Sequence, residues 1–296
     1  MRIVAFEKSD GAHLGVVRGE SVIDIAAILP RLPRDLKSLL QEHPNALSEI
    51  DRAVAESQLS AVAPITSLKL ATPIAVPGKL ICLGLNYVDH VAESKHGRQG
   101  QPTLFMRAAT SLVPHGEAII RPKVSAQLDY EAELAVIVGK RMRHVSPAQA
   151  LDGVAGYTCF NDGSVRDYQR HTVQWTMGKN FDRTGGFGPA FVTADELPRG
   201  AVGLKIETRV NGETLQSNNT SNMIFDVADS LSYVSEGMTL EPGDVIAMGT
   251  PSGVGHARTP QKWLRHGDVV EVEIAQIGIL RNTVRDEQFE VCADTA

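Results

Sequence analysis

The chain has 296 residues, 43% of them hydrophobic, and 35 acidic against 29 Lys and Arg side chains give a formal net charge of −6. That length can bury a large core as one large domain, or as a large domain with a small one. The acidic balance and the lack of any long Lys/Arg run exclude a surface that tracks a phosphate backbone, so nucleic acid is not an expected partner and a small anionic ligand must be held by a local site.

At the N-terminus, "MRIVAFEKSD" meets Glu7 and Lys8 before a signal-peptide core can form, and no later apolar run reaches the length of a membrane span. No membrane partner is expected, and a cytoplasmic location follows as the default. "MRIVAFE" and "HLGVVRGESVIDIA" alternate like strands, then "LPRDLKSLLQEH" and "ALSEIDRAVAESQ" show helical spacing. The Pro-marked passage "LATPIAVPGK" suggests a boundary near Ala71, between a small N-terminal α/β domain (1–71) and a working domain (72–296).

Past that boundary short strands dominate: "GEAIIRP", "AELAVIVG", "GYTCFND", "GLKIETRVNGETLQ", "GDVIAMG" and "GDVVEVEI". The "VNGE" step is a hairpin signal. Helices are fewer: "SPAQALDGV" has a Ser146 cap and Pro147 at the first helical position, and "DVADSLSYVSEGM" keeps apolar periodicity until Gly237. The expected class is α+β, mainly β, with a curled sheet or barrel-like core in place of a parallel doubly wound sheet. Cys82, Cys159 and Cys292 form no C-x-x-C pair, which argues against a disulfide framework and a thiolate zinc site. Cys82 and Cys159 lie in apolar strand-like runs and read as core.

Three clusters carry chemistry. In "GLNYVDHVAESK", His90 and Glu93 stand three apart, which on a helical turn sets imidazole beside carboxylate, as a general base needs. H-x-x-E is also a common salt link on exposed helices. In "LDYEAELAVIVGK", Asp129, Glu131 and Glu133 recur at every second position, so on one strand they point the same way at roughly 7 Å intervals. Either that face is solvated and paired with Arg or Lys, or a cation compensates it. With Asp162, at the end of the strand "GYTCFND", Glu131 and Glu133 would make an all-oxygen set suited to Mg²⁺ or Mn²⁺.

The third cluster, "NDGSVRDYQRHTVQWTMGKNFD", holds Arg166, Gln169 and Lys179, which would suit an anionic substrate with carboxylate and carbonyl oxygens. "GKN" is not a phosphate loop, because Asn180 replaces the Ser or Thr. The Gly-rich "GTPSGVG" (249–255) reads as a tight turn, or as backbone amides and Thr250 cradling a carboxylate. Trp175 and Trp263 read as core or rim anchors. His115, His171, His256 and His266 show no metal spacing and read as structural or surface groups.

Taken in order, "GLNYVDHVAE", "DYEAELAVIVGK", "GYTCFNDGSVRDYQ", "QWTMGKNFD" and "MTLEPGDVIAMGTPSGVG" resemble the fumarylacetoacetate hydrolase family, in its short branch of acylpyruvate hydrolases and related decarboxylases and isomerases. The resemblance implies a mixed β-sandwich roll in which Glu131, Glu133 and Asp162 hold Mg²⁺ or Mn²⁺. It implies that His90 and Glu93 lie on a mobile segment that orders over substrate, that Lys179 faces the substrate oxygens, and that Arg166, Gln169 and Thr250 are secondary contacts. A homodimer is implied as well. Two departures from the family pattern, Arg107 in "PTLFMRAATS" and the glycines of "FDRTGGFGP", are expected to border the pocket and to bear on the substrate.

The activity these features imply is hydrolytic C–C cleavage of a 2,4-dioxo acid, with release of pyruvate and His90 as the base for water. Decarboxylation of an oxaloacetate-type acid or hydroxymuconate-type isomerisation would use the same site. A non-catalytic metal-binding module is the rival from another class, and the joint presence of His90, Glu93 and Lys179 argues against it.

Overall fold

The structure, a computed structural model, describes residues 1–57, 63–94 and 100–288, so Cys292 lies outside the described residues. The strands Arg2–Lys8, Gly11–Arg18 and Ser21–Asp24 pair antiparallel in chain order. Asp24 closes the third and caps the helix that follows, its carboxylate accepting the Ala26 N–H at 2.9 Å. Asp35 caps Leu36–Glu42 in the same way through the Ser38 N–H at 2.9 Å. That helix and the next, Ala46–Glu56, turn Leu36, Leu39, Leu40, Ile50 and Val54 inward at the spacing of one helical face.

Arg2–Lys8 also pairs antiparallel with Gly185–Thr193, in the register Arg2↔Val192. One large sheet therefore continues from the N-terminal strands into the rest of the chain. Its middle runs, in order, Gly185–Thr193, Val154–Asn161, Ala132–Val138, Val245–Ala247 and Leu80–Gly84. A second, five-stranded sheet runs Glu213–Asn219, Lys205–Val210, Val269–Ile274, Gly278–Asp286 and Ala118–Arg121. Its first hairpin turns at Asn211 and Gly212, with φ of 52° and 81°, as an Asn-Gly pair allows.

The central strand Ala132–Val138 is buried along its whole length. Leu134, Val136 and Val138 pack in the cluster that holds Ile206, Val272 and Leu280 of the second sheet. Ala135 and Ile137 join the cluster of the N-terminal helices. A strand covered on both faces reads as an unbroken apolar run, and any carboxylate on it must be compensated internally. The architecture is mainly β, with mixed sheets: Val245–Ala247 and Leu80–Gly84 are parallel, whereas Ala132–Val138 is antiparallel to both its neighbours. Helix Val227–Gly237 starts at Asp226, whose side chain accepts the Asp229 N–H at 2.8 Å. Among the described residues no helix is long and apolar enough to cross a membrane.

Cys82 and Cys159 are fully buried in these clusters. Burial pushes the Cys159 thiol up to about 12, and burial followed by the nearby Asp162 and Glu133 carboxylates pushes Cys82 well above the ordinary range. In a Cys292→Ser variant, a thiol reagent should therefore leave the native protein unlabelled and modify both cysteines only after unfolding. Rapid native labelling would contradict this packing.

Candidate active site

Antiparallel register assembles the acidic cluster. Ala132 pairs with Asn161, and one step further along Glu131 lies opposite Asp162, whose N–H donates to the Glu131 carbonyl at 2.9 Å. Glu133 follows two residues on. Ligand oxygens of Glu131, Glu133 and Asp162 all lie within 4.8 Å of one another, and all three residues are buried. The solvated-edge alternative is thereby ruled out.

Asp129 departs from the expected row of three. Leu128–Asp129 pairs with Ser164–Val165 as a separate ribbon, and the long strand begins only at Ala132. Asp129 instead accepts the N–H groups of Gly255 at 2.8 Å and His256 at 3.0 Å, and Arg166 Nε at 2.8 Å. The break in regular pairing gives this carboxylate a structural partner set of its own.

The charges nearly balance. Around the triad lie four buried carboxylates, Asp129, Glu131, Glu133 and Asp162, and three buried permanent cations, Arg107, Arg166 and Lys179. Arg166 spans Asp129 and Glu131, with Nη2 at 2.6 Å from Glu131, and its Nη1 donates to Gln169 Oε1 at 2.9 Å. Lys179 Nζ bridges Glu131 at 2.7 Å and Asp162 at 2.5 Å. Among the described residues no cation pairs with Glu133, whose carboxylate accepts the Gly249 N–H at 3.0 Å. Burial first, then the negative charges of Asp162 and Glu131, push the Glu133 carboxyl well above its ordinary range. Burial acts the same way on Glu131, but Arg166 and Lys179 outweigh it and hold that carboxyl well below.

His90 and Glu93 stand on the helix Val88–Ser94, with Nδ1 and Oε2 3.3 Å apart. The helix is fastened to the loop after Val245–Ala247: Glu93 accepts the Gly253 N–H at 3.0 Å, and Asp89 accepts the Ser252 hydroxyl at 2.5 Å. That loop is the "GTPSGVG" stretch, and its amides cradle the chain's own carboxylates: Gly249 binds Glu133, Gly253 binds Glu93 and Gly255 binds Asp129. The amides of Gly249, Gly253 and Gly255 are thus taken by the chain's own carboxylates. Gly249 and Gly253 adopt φ of 85° and 98°, which explains glycine at both. Thr250 is buried between them, its hydroxyl oxygen accepting Gln216 Nε2 at 2.8 Å.

A cavity of about 250 Å³ opens onto this arrangement, lined by His90, Glu131, Glu133, Arg166, Gln169, Lys179 and Thr250. The sequence-expected residues therefore converge on one space, save Glu93, which stands behind His90, and Asp162, which stands behind Lys179. Phe105, Arg170, Trp175 and His256 also line it, together with the Leu83–Leu85 stretch. Trp175 and Phe105 meet edge to face at 5.5 Å, and a Cβ on Gly84 would sit 2.3 Å from the Trp175 ring. Sequence alone offers no signal for Arg170 or His256, because neither has a motif spacing to the triad.

Arg107 does not border the cavity. Its guanidinium is sealed behind the triad, donating to Asp162, to the Gly163 carbonyl at 3.0 Å and to Thr184 Oγ1 at 2.9 Å. The glycines of "FDRTGGFGP" likewise belong to Gly185–Thr193, behind Asp162, with Gly186 opposite Asn161. Both features support the triad from behind and form no part of the wall that a substrate would meet.

Three buried carboxylates with only oxygen donors and one of them lacking a counter-ion fit a hard dication such as Mg²⁺ or Mn²⁺. Removing the uncompensated charge should separate metal binding from stability. For Glu133→Gln, calorimetric titration is expected to show Mn²⁺ affinity falling at least about 100-fold. The melting temperature of the metal-free protein should rise by about 2–4 °C. Undiminished Mn²⁺ binding would remove Glu133 from the ligand set. In the wild type, metal should displace the proton that the raised Glu133 favours, so affinity should weaken as pH falls.

Similarity to known proteins identifies the family of the chain. Residues 79–285 match the family model described as fumarylacetoacetate (FAA) hydrolase C-terminal. Over 290 residues, 96% of this chain and 91% of the relative, the sequence is 40% identical to the mitochondrial oxaloacetate tautomerase FAHD2A of Bos taurus. The fumarylacetoacetate hydrolase of psychrophilic Exiguobacterium antarcticum superposes with a TM-score of 0.81 at 37% identity, covering 97% of this chain and 100% of that one. A maleylpyruvate hydrolase of Sphingobium sp. SYK-6, solved with manganese(II) and pyruvate, superposes with a TM-score of 0.81 at 29% identity and the same coverage. This chain belongs to the fumarylacetoacetate hydrolase family.

Proposed function

We propose that this protein is a divalent-metal-dependent enzyme that moves a proton at C3 of a short 2-oxo diacid, interconverting the keto and enol forms of an oxaloacetate-type substrate. The observation that carries this reading is the His90 imidazole, backed by Glu93 and lining the same small cavity as Glu131 and Glu133. The full-length similarity to an oxaloacetate tautomerase supports it, as does a cavity of about 250 Å³, which suits an acid of few carbons. Mg²⁺ or Mn²⁺ held by Glu131, Glu133 and Asp162 would supply Lewis-acid stabilisation of the negative charge that develops on the 2-oxo oxygen.

The chain's own residues handle the proton. His90 Nδ1 faces Glu93, which leaves Nε2 to take a proton from C3 of the keto form and return it at the 2-oxo oxygen. Glu93 fixes the ring and stabilises the imidazolium while the proton is held. Lys179 adds positive charge beside the substrate oxygens. Phe105, Trp175, Leu83 and Leu85 give the cavity an apolar side that limits competing water.

A second reading, hydrolytic C–C cleavage of a 2,4-dioxo acid, is favoured by one observation: a carboxylate-backed imidazole can equally take its proton from water. The similarity to maleylpyruvate hydrolase supports it. Incubation with Mn²⁺ and either oxaloacetate or acetylpyruvate separates the two readings. Tautomerisation predicts accelerated loss of oxaloacetate enol absorbance with no extra CO₂ and intact acetylpyruvate. Pyruvate and acetate from acetylpyruvate would establish hydrolysis, and CO₂ from oxaloacetate would establish decarboxylation. His90→Ala should lower kcat by about 10²–10⁴-fold while Mn²⁺ binding persists. Silence of the wild type on both probes would overturn the proposal.

A further inference from the structure

Three permanent cations line the cavity, and they are not equivalent. Arg166 is spent on Asp129 and Glu131, and Lys179 on Glu131 and Asp162. Arg170 pairs with no carboxylate among the described residues. Its recorded partner is a ring nitrogen, His256 Nδ1, at 2.7 Å from Nη2. A guanidinium has no acceptor capacity, so Arg170 is the donor and His256 Nδ1 the acceptor, and the ring adds no negative charge.

The imidazole is itself held in place. It stacks on Trp263 with an interplanar angle of 14°, and Gln261 Nε2 donates to the backbone carbonyl of His256 at 3.0 Å. The His256 backbone N–H is anchored on Asp129. An exposed arginine is ordinarily free to sweep solvent, but this one is tethered by one edge of its fork to a fixed ring at the wall of the cavity. Its remaining N–H groups carry an uncompensated charge and a planar geometry that matches a carboxylate.

We infer that Arg170 is the anchor for the distal carboxylate of the substrate, with His256 as the residue that positions it. The inference rests on the proposed 2-oxo diacid activity and adds to it the group that selects a diacid over a monoacid. The oxo-acid end of the ligand would face the acidic triad with Lys179, and the second carboxylate would form a forked pair with Arg170. Arg166, already neutralised by two carboxylates, is left to organise the site.

Calorimetric titration of the Mn²⁺-loaded protein with malate and with lactate tests this, because the two 2-hydroxy acids differ in the distal carboxylate and neither is a substrate. The wild type should bind malate at least about tenfold more tightly than lactate. Arg170→Gln should erase that preference while lactate and Mn²⁺ still bind, and Arg170→Lys should restore part of it. His256→Phe, which keeps an aromatic ring on Trp263, should weaken malate and spare lactate. A wild type without preference, or a preference that survives Arg170→Gln, would overturn the inference. An Arg170-dependent preference in a protein that leaves oxaloacetate untouched would refute the proposed reaction and leave the anchor standing.

Discussion

One buried carboxylate governs the rest of this structure. Glu133 sits on a strand covered on both faces, beside Glu131 and Asp162, and it has no cation of its own among the described residues. A lone carboxylate in such surroundings is costly unless it is protonated or paired. The fold gives Glu133 no ion-pair partner among the described residues. It arranges everything nearby so that one more positive centre is the missing component, and the oxygen donors make a hard dication the natural choice.

Seen from Glu133, the neighbouring segments acquire their roles. Arg107, sealed behind Asp162, and Arg166, spanning Asp129 and Glu131, pair with the remaining carboxylates and fix their direction. The loop 249–255 spends its amides on Glu133, Glu93 and Asp129, and so ties the strand, the His90 helix and the Arg166 network to one short segment. The His90–Glu93 pair and the triad are thereby positioned by the same loop. Side chains supported in this way stay in place without relying on a ligand to organise them.

Much of this could be read from the residues. The alternation of the strands, the Asn211–Gly212 hairpin and the helix ending at Gly237 follow local rules, and the structure has them where those rules put them. Glu131, Glu133 and Asp162 were legible because charge in an apolar run demands compensation. The fate of Asp129 was not, because nothing local shows that the strand pairing breaks between Asp129 and Ala132. Nor could Arg107 be told from a pocket residue, since its partners Asp162 and Thr184 lie far along the chain. Arg170 and His256 meet across 86 positions, a separation at which sequence carries no spacing signal.

The central claim is that the excess charge of the triad is met by a divalent cation bound at that point. Crystals grown with Mn²⁺ and measured at the manganese absorption edge address it directly. The account predicts one strong anomalous peak per chain, within coordination distance of Glu131, Glu133 and Asp162. Fully occupied Mn²⁺ elsewhere, with the triad still bridged by Lys179 alone, would contradict it.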